Sequence, residues 1–315
     1  MIILLWSLIF ILAAGGTAMA AHLFNDKVEA YGKEARLSPF FTGVVLSTFI
    51  VALPELVISI IATAKDYSSL VPTYVFGANL INLLLIPGIL AVGAGQLKVQ
   101  KESTFKQIPM LLATLVVLLV LSFDGTVSFW EGIVLLAAFA LFAAARHSEY
   151  RQGLWDRIER LFSFGRSNSS LPAMLLWGAG LVVAAYFTVV GTLNIADYAD
   201  TNPGYLAASL VALAVSAPEM VYAYHAAKKG NGDSALNVLM ISTIVNSTLV
   251  LGIPALIKPL NIMDDALSIG SVFLLFASLL FSLFMVQKRW SAYEGGLLIL
   301  IYLLYLTQFL NPLFS

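Results

Sequence analysis

Cysteine is absent from the 315 residues, which excludes a disulfide framework, thiolate chemistry and iron–sulfur ligation. Histidine is scarce. His22, His147 and His225 are not spaced as a pair, so no zinc site is expected. Charge is scarce as well: 11% of residues are charged, against about a quarter in a soluble domain. The net charge of −1 points to no partner class, and neither a nucleic-acid partner nor a cofactor is expected.

What the chain has in quantity is apolar sequence, with 60% hydrophobic residues and a mean hydropathy of +0.90. The few charges are bunched, leaving long uncharged runs. A helix needs about 20 apolar residues to cross a bilayer. Ten runs approach that length, near 2–22, 38–64, 70–94, 107–123, 128–145, 171–192, 204–226, 235–257, 266–287 and 293–311. The expected fold class is therefore an all-α polytopic protein with ten transmembrane helices in a lipid bilayer, and the cell membrane is its expected location. The stretch "GTAMAAH" (16–22) has the small-x-small pattern of a signal-peptidase site. No Lys or Arg precedes it, so the first run is expected to stay as a helix.

Basic residues set the orientation. The odd-numbered connections hold 15 of the 17 Lys and Arg residues, and the even ones only Lys65 and Lys258. The positive-inside rule then places the odd connections in the cytoplasm and both termini outside. The longest polar connection, 146–170, is basic and divides the chain into a first half (1–145) and a second (171–315), with five runs each. It reads as a cytoplasmic linker.

The halves repeat. At an offset of 164 residues, Pro54 falls on Pro218, Glu55 on Glu219, Lys65 on Lys229, Asn82 on Asn246 and Gly88 on Gly252. An odd number of spans per half reverses the second half's direction, so the expected architecture is two inverted-topology five-helix repeats. Such repeats place substrate sites near the midplane, where interrupted helices meet.

The repeated stretches carry chemistry. "FIVALPELVIS" (49–59) and "LAVSAPEMVYA" (213–223) each set Pro-Glu inside an apolar run. Each proline removes a backbone donor and frees a carbonyl one turn earlier, at Ile50 and Ala214. Glu55 and Glu219 are the only carboxylates deep in any run; Glu131 and Glu294 lie near run ends. A charge at the bilayer centre costs roughly 2.5–3.5 kcal/mol on insertion scales, so such residues usually face an interior and serve a function. The next run of each half holds an amide, Asn82 or Asn246, and Ser242 lies one turn before Asn246 on the same face. Two carboxylates, two amides and freed carbonyls make an all-oxygen set suited to a hard cation such as calcium.

These stretches resemble the α-repeats of the cation/calcium exchanger superfamily, which includes the sodium/calcium exchangers. That family has ten helices in two inverted halves, with G-T-S-[L/A]-P-E in helices two and seven and G-S-N-x-x-[N/D] in helices three and eight. The layout agrees along nearly the whole chain, and the motifs over about 43–88 and 207–252. The resemblance implies that Glu55 and Glu219 hold calcium with Asn82 and Asn246 around them. It further implies that backbone carbonyls at Thr48 and Ala212 help bind sodium, with Ser216 and Ser242 each serving a flanking sodium site.

The chain departs from the motif at its hydroxyls. Positions 51, 52, 78 and 215 are Val51, Ala52, Ala78 and Val215; only Ser216 and Ser242 remain. Sodium is therefore expected to bind more weakly, or at fewer sites, than with the full motif. The leading expectation is a secondary antiporter exchanging calcium for sodium, with proton-coupled exchange of calcium or another divalent cation as the alternative. Bare paired carboxylates should not switch sides until a divalent ion, several sodium ions or two protons neutralise them. A passive channel and an intramembrane hydrolase are the other classes. No H-E-x-x-H motif or nucleophile accompanies the glutamates, so the protein is not expected to be an enzyme.

Overall fold

With no water in the bilayer core, every backbone N–H and C=O must be satisfied within the segment, and apolar runs become helices. The computed structural model describes residues 2–34, 52–94, 96–99, 105–148, 171–262 and 266–310. In the first half these form α1 (Ile2–Glu34), α2 (Leu53–Ala64) and α3, which runs as Leu70–Leu80, a π-helical turn Ile81–Leu85, and Ile86–Ala94. Strand β1 (Gln96–Lys98), α4 (Ile108–Leu121), β2 (Thr126–Val127) and α5 (Phe129–Ser148) follow.

The second half opens with α6 (Leu171–Tyr198) and α7, made of Pro203–Leu206, a π-helical turn Ala207–Val211 and Ala212–Val215. Next come α8 (Ala217–Lys228) and α9, which runs as Gly232–Val245, a π-helical turn Asn246–Val250 and Leu251–Ile257. Strand β3 (Leu260–Asn261), α10 (π-helical Ala266–Gly270, then Ser271–Val286), β4 (Arg289–Ser291) and α11 (Ala292–Leu310) complete the order.

Six helices among the described residues are long and apolar enough to cross a membrane. A seventh such span arises if α7 and α8, bent by 43° at their junction, are taken together. Segments Leu53–Ala64, Ile108–Leu121 and Phe129–Ala145 are shorter apolar helices. Among the described residues the fold is thus helical apart from four short strands, with six or seven helices long enough to span, and helices occupy each of the ten expected runs where these are described. Residues 38–51 of the second run lie outside the described residues, so α2 shows only its later part. The first run extends as helix well past "GTAMAAH", to Glu34.

The 164-residue offset reappears in the elements. Added to the bounds of α2 it gives those of α8, and added to Ile81 it falls one residue from the π-helical turn at Asn246. The halves also exchange partners. Strand β1 pairs antiparallel with β4 and β2 with β3, so each half's strands bind those of the other.

Helix packing follows the same exchange. A Cβ on Gly88 of α3 would strike the Gly295 carbonyl of α11, and one on Gly252 of α9 would strike Leu136 and the Gly132 carbonyl of α5. Glycine permits both close approaches.

The two carboxylates expected near run ends prove to be helix caps. Ser128 N–H donates to Glu131 Oε2 at 2.7 Å, and Ser291 N–H to Glu294 Oε2 at 2.6 Å. Each is half of a capping box at the start of α5 or α11. Where helix α9 ends, Lys258 Nζ donates to Asp66 Oδ1 at 2.7 Å and holds that carboxyl below the usual carboxylate range. The core lies around α3 and α9, whose spans are 83% and 78% buried. Helices α1 and α6 pack against each other at one side, largely exposed.

Candidate cation site

The Pro-Glu pairs sit where a helix restarts. Ala52 (φ −85°, ψ 0°) precedes α2, and Ser216 (φ −81°, ψ −2°) separates α7 from α8 with nearly the same backbone. Pro54 and Pro218 then occupy the first turn, where the missing N–H has no helical acceptor to lose. The next residue in each first turn is the glutamate. The helix N-terminus favours negative charge there, by about 0.3–1 kcal/mol in exposed cases.

Glu55 and Glu219 are both buried, at 1% and 2% exposure. Their carboxyl groups are neighbours, near enough to feel each other's charge. Asn82 and Asn246, each at the start of a π-helical turn or one residue into it, are buried too. A polar chain crosses between the halves: Asn82 Nδ2 donates to Ser242 Oγ at 3.2 Å, and Ser242 Oγ donates to Glu219 Oε1 at 3.1 Å. That chain joins three of the expected residues.

Several oxygens here have no hydrogen-bond partner among the described residues. They are Glu55 Oε2, Glu219 Oε2, Asn82 Oδ1, Asn246 Oδ1 and Ser216 Oγ. A buried acceptor without a partner costs about 1–3 kcal/mol, so a group of five calls for a ligand that accepts lone pairs. Among the described residues no cluster of three or more Asp, Glu, His or Cys side chains could hold a metal ion. Neutral oxygens must therefore complete any coordination that the two carboxylates begin.

Two of the expected ligands already make hydrogen bonds within the protein. The Ser242 hydroxyl already donates to Glu219 and accepts from Asn82, so it positions both groups. The Ala212 carbonyl accepts the Ser216 N–H at 3.1 Å, which occupies one of its lone pairs. Thr48, Ile50 and Val51 lie outside the described residues. Ala214, the expected freed carbonyl of the second half, lines a narrow cleft with Pro54, Pro218, Thr17 and Thr188. That cleft separates the kinks from the α1–α6 pair.

Four supporting residues escaped the sequence reading. Tyr74 Oη donates to the Glu55 carbonyl at 2.7 Å, and Ser59 Oγ donates to the same carbonyl at 2.9 Å. Asn79 Nδ2 donates to Ser247 Oγ at 2.8 Å. Their positions in the other half hold Val238, Ala223, Thr243 and Leu83, so matching identical residues at one offset passes over all four.

A family model described as sodium/calcium exchanger protein matches residues 5–146 and 169–311. The chain belongs to that family. Membership makes the exchanger a membrane cation transporter and not an enzyme in the catalytic sense. It is 29% identical to "Inner membrane protein YrbG" of Escherichia coli (strain K12) over 259 residues, covering 78% of each chain. It is 25% identical to "Sodium/calcium exchanger MaX1" of Methanosarcina acetivorans, covering 97% of each. The exchanger's fold also matches the crystal structure of the H+/Ca2+ exchanger CAX at a TM-score of 0.76 and 17% identity. That match covers 98% of this chain and 87% of the other.

Proposed function

We propose that the exchanger moves calcium across the cell membrane against sodium, through one site formed by Glu55, Glu219, Asn82 and Asn246, with Ser216 beside them. The observation that carries this reading is the pair of buried carboxyl groups in the first turns of α2 and α8, set among unpartnered amide and hydroxyl oxygens. Two carboxylates match a divalent charge, and the oxygens around them suit a hard ion. In this reading the shorter helices also cross, giving ten spans in two inverted five-helix repeats, 1–145 and 171–315. The 146–170 linker is cytoplasmic and both termini are outside. Thr48 and Ala212 contribute backbone oxygens to sodium.

A second reading, coupling to protons, is favoured by the hydroxyls. Four motif positions lack one, and the Ser242 hydroxyl is engaged on both sides. Sodium needs a shell of neutral oxygens, and each missing one leaves desolvation uncompensated. Two protons neutralise two glutamates without any such shell.

Calcium uptake into proteoliposomes separates these readings. Uptake driven by an outward sodium gradient at equal pH supports sodium exchange; uptake driven only by a proton gradient supports the second reading. Calcium flux that proceeds at the same rate without either counter-ion would make the protein a channel and overturn both.

A further inference from the structure

Asn79 has no part in the site so far, although its surroundings match those of Asn82. Both amides are fully buried in α3, one helical turn apart and so on the same face. Each spends its NH2 group on a serine of α9: Asn82 on Ser242, Asn79 on Ser247. In each case the serine fixes the amide, and the oxygen at its other end has no partner among the described residues. Ser247 directly follows Asn246, so the Asn79 bond brings α3 to α9 at the π-helical turn that carries the second central amide. Joining α3 to α9 uses only the NH2 end of Asn79 and leaves its buried oxygen available.

We propose that Asn79 is a further ligand for the divalent cation, presenting its Oδ1, and that Ser247 is the positioning residue that aims it. Calcium takes 6–8 oxygens, and five unpartnered side-chain oxygens have been named above. Asn79 Oδ1 is one more buried oxygen of the same kind. It also gives the first half a neutral oxygen next to Ala78, where the motif hydroxyl is missing. The proposal rests on the calcium-site reading.

The test is calcium titration of the purified full-length protein in detergent, following the calcium-induced rise in melting temperature. Asn79→Ala and Ser247→Ala are each expected to weaken calcium binding roughly tenfold, as loss of a ligand or of its orienting partner does. Asn79→Asp keeps the oxygen and accepts the Ser247 hydroxyl, so it should bind calcium at least as tightly as the wild type. Alanine variants that melt lower without calcium but keep the wild-type calcium affinity would show Asn79 to be a helix-joining residue and overturn the proposal. Should the Asn79 variants fail to fold, Ser247→Ala decides alone: unchanged affinity overturns the proposal and weakened affinity supports it. A wild-type protein with no calcium-induced shift would instead overturn the calcium-site reading, and this proposal with it.

Discussion

Glu55 and Glu219 are held by different means. Glu219 accepts the Ser242 hydroxyl at its carboxylate, whereas Glu55 is fixed through its backbone carbonyl by Tyr74 and Ser59. Both should be indispensable, because half the divalent charge is lost with either. Glu55→Gln and Glu219→Gln are each expected to abolish divalent exchange in proteoliposomes at normal expression; residual exchange in either variant would remove that glutamate from the site. Ser242→Ala tests the positioning role. It leaves Asn82 Nδ2 and Glu219 Oε1 without a partner, and about 1–3 kcal/mol of stability should be lost in a denaturation measurement. Unchanged stability would mean the hydroxyl is not shared as described. At this scale the central residues were legible because a buried carboxylate or amide is costly and these were repeated at one offset. Asn79, Tyr74, Ser59 and Ser247 were not, since support for a site need not be symmetric even when the site is.

Among the elements, the breaks matter more than the helices. Ala52 and Ser216 take almost one backbone conformation, and proline after each break directs a glutamate into a fresh helix N-terminus. Proline marks that break in the sequence. The π-helical turns at Ile81–Leu85, Ala207–Val211 and Asn246–Val250 have no such marker; tertiary packing around polar side chains sets them, and functional sites often carry them. One of them depends on a glycine. A Cβ on Gly77 of α3 would overlap the Ala208 carbonyl within the α7 turn and crowd the Ala212 Cβ. Gly77→Ala is therefore expected to destabilise the protein by about 1–3 kcal/mol, read as a lower melting temperature. Gly93→Ala, where a Cβ meets nothing within 4 Å, is the matched control and should not lower it.

Across the whole molecule, the two halves are joined by exchange: β1 with β4, β2 with β3, α3 with α11, α9 with α5. The absence of cysteine makes the proposed orientation easy to check. Ser167→Cys, in the linker, should react with an impermeant thiol reagent only from the cytoplasm. Phe123→Cys, at a position 86% exposed between α4 and β2, should react only from outside; the opposite pattern would invert the topology. Spans and repeat could be read from hydropathy and spacing, while the partner exchange could not, because nothing local records which distant segment a strand or helix will meet. That exchange bears on how the chain is made. Gly88 and Gly295 are 207 residues apart (295 − 88). At about 5–20 residues per second, α3 waits roughly 10–40 s in the membrane before α11 has been synthesised. Throughout that interval the face of α3 around Gly88 must rest against lipid or the insertion machinery, so the half that is translated first is the half that is completed last.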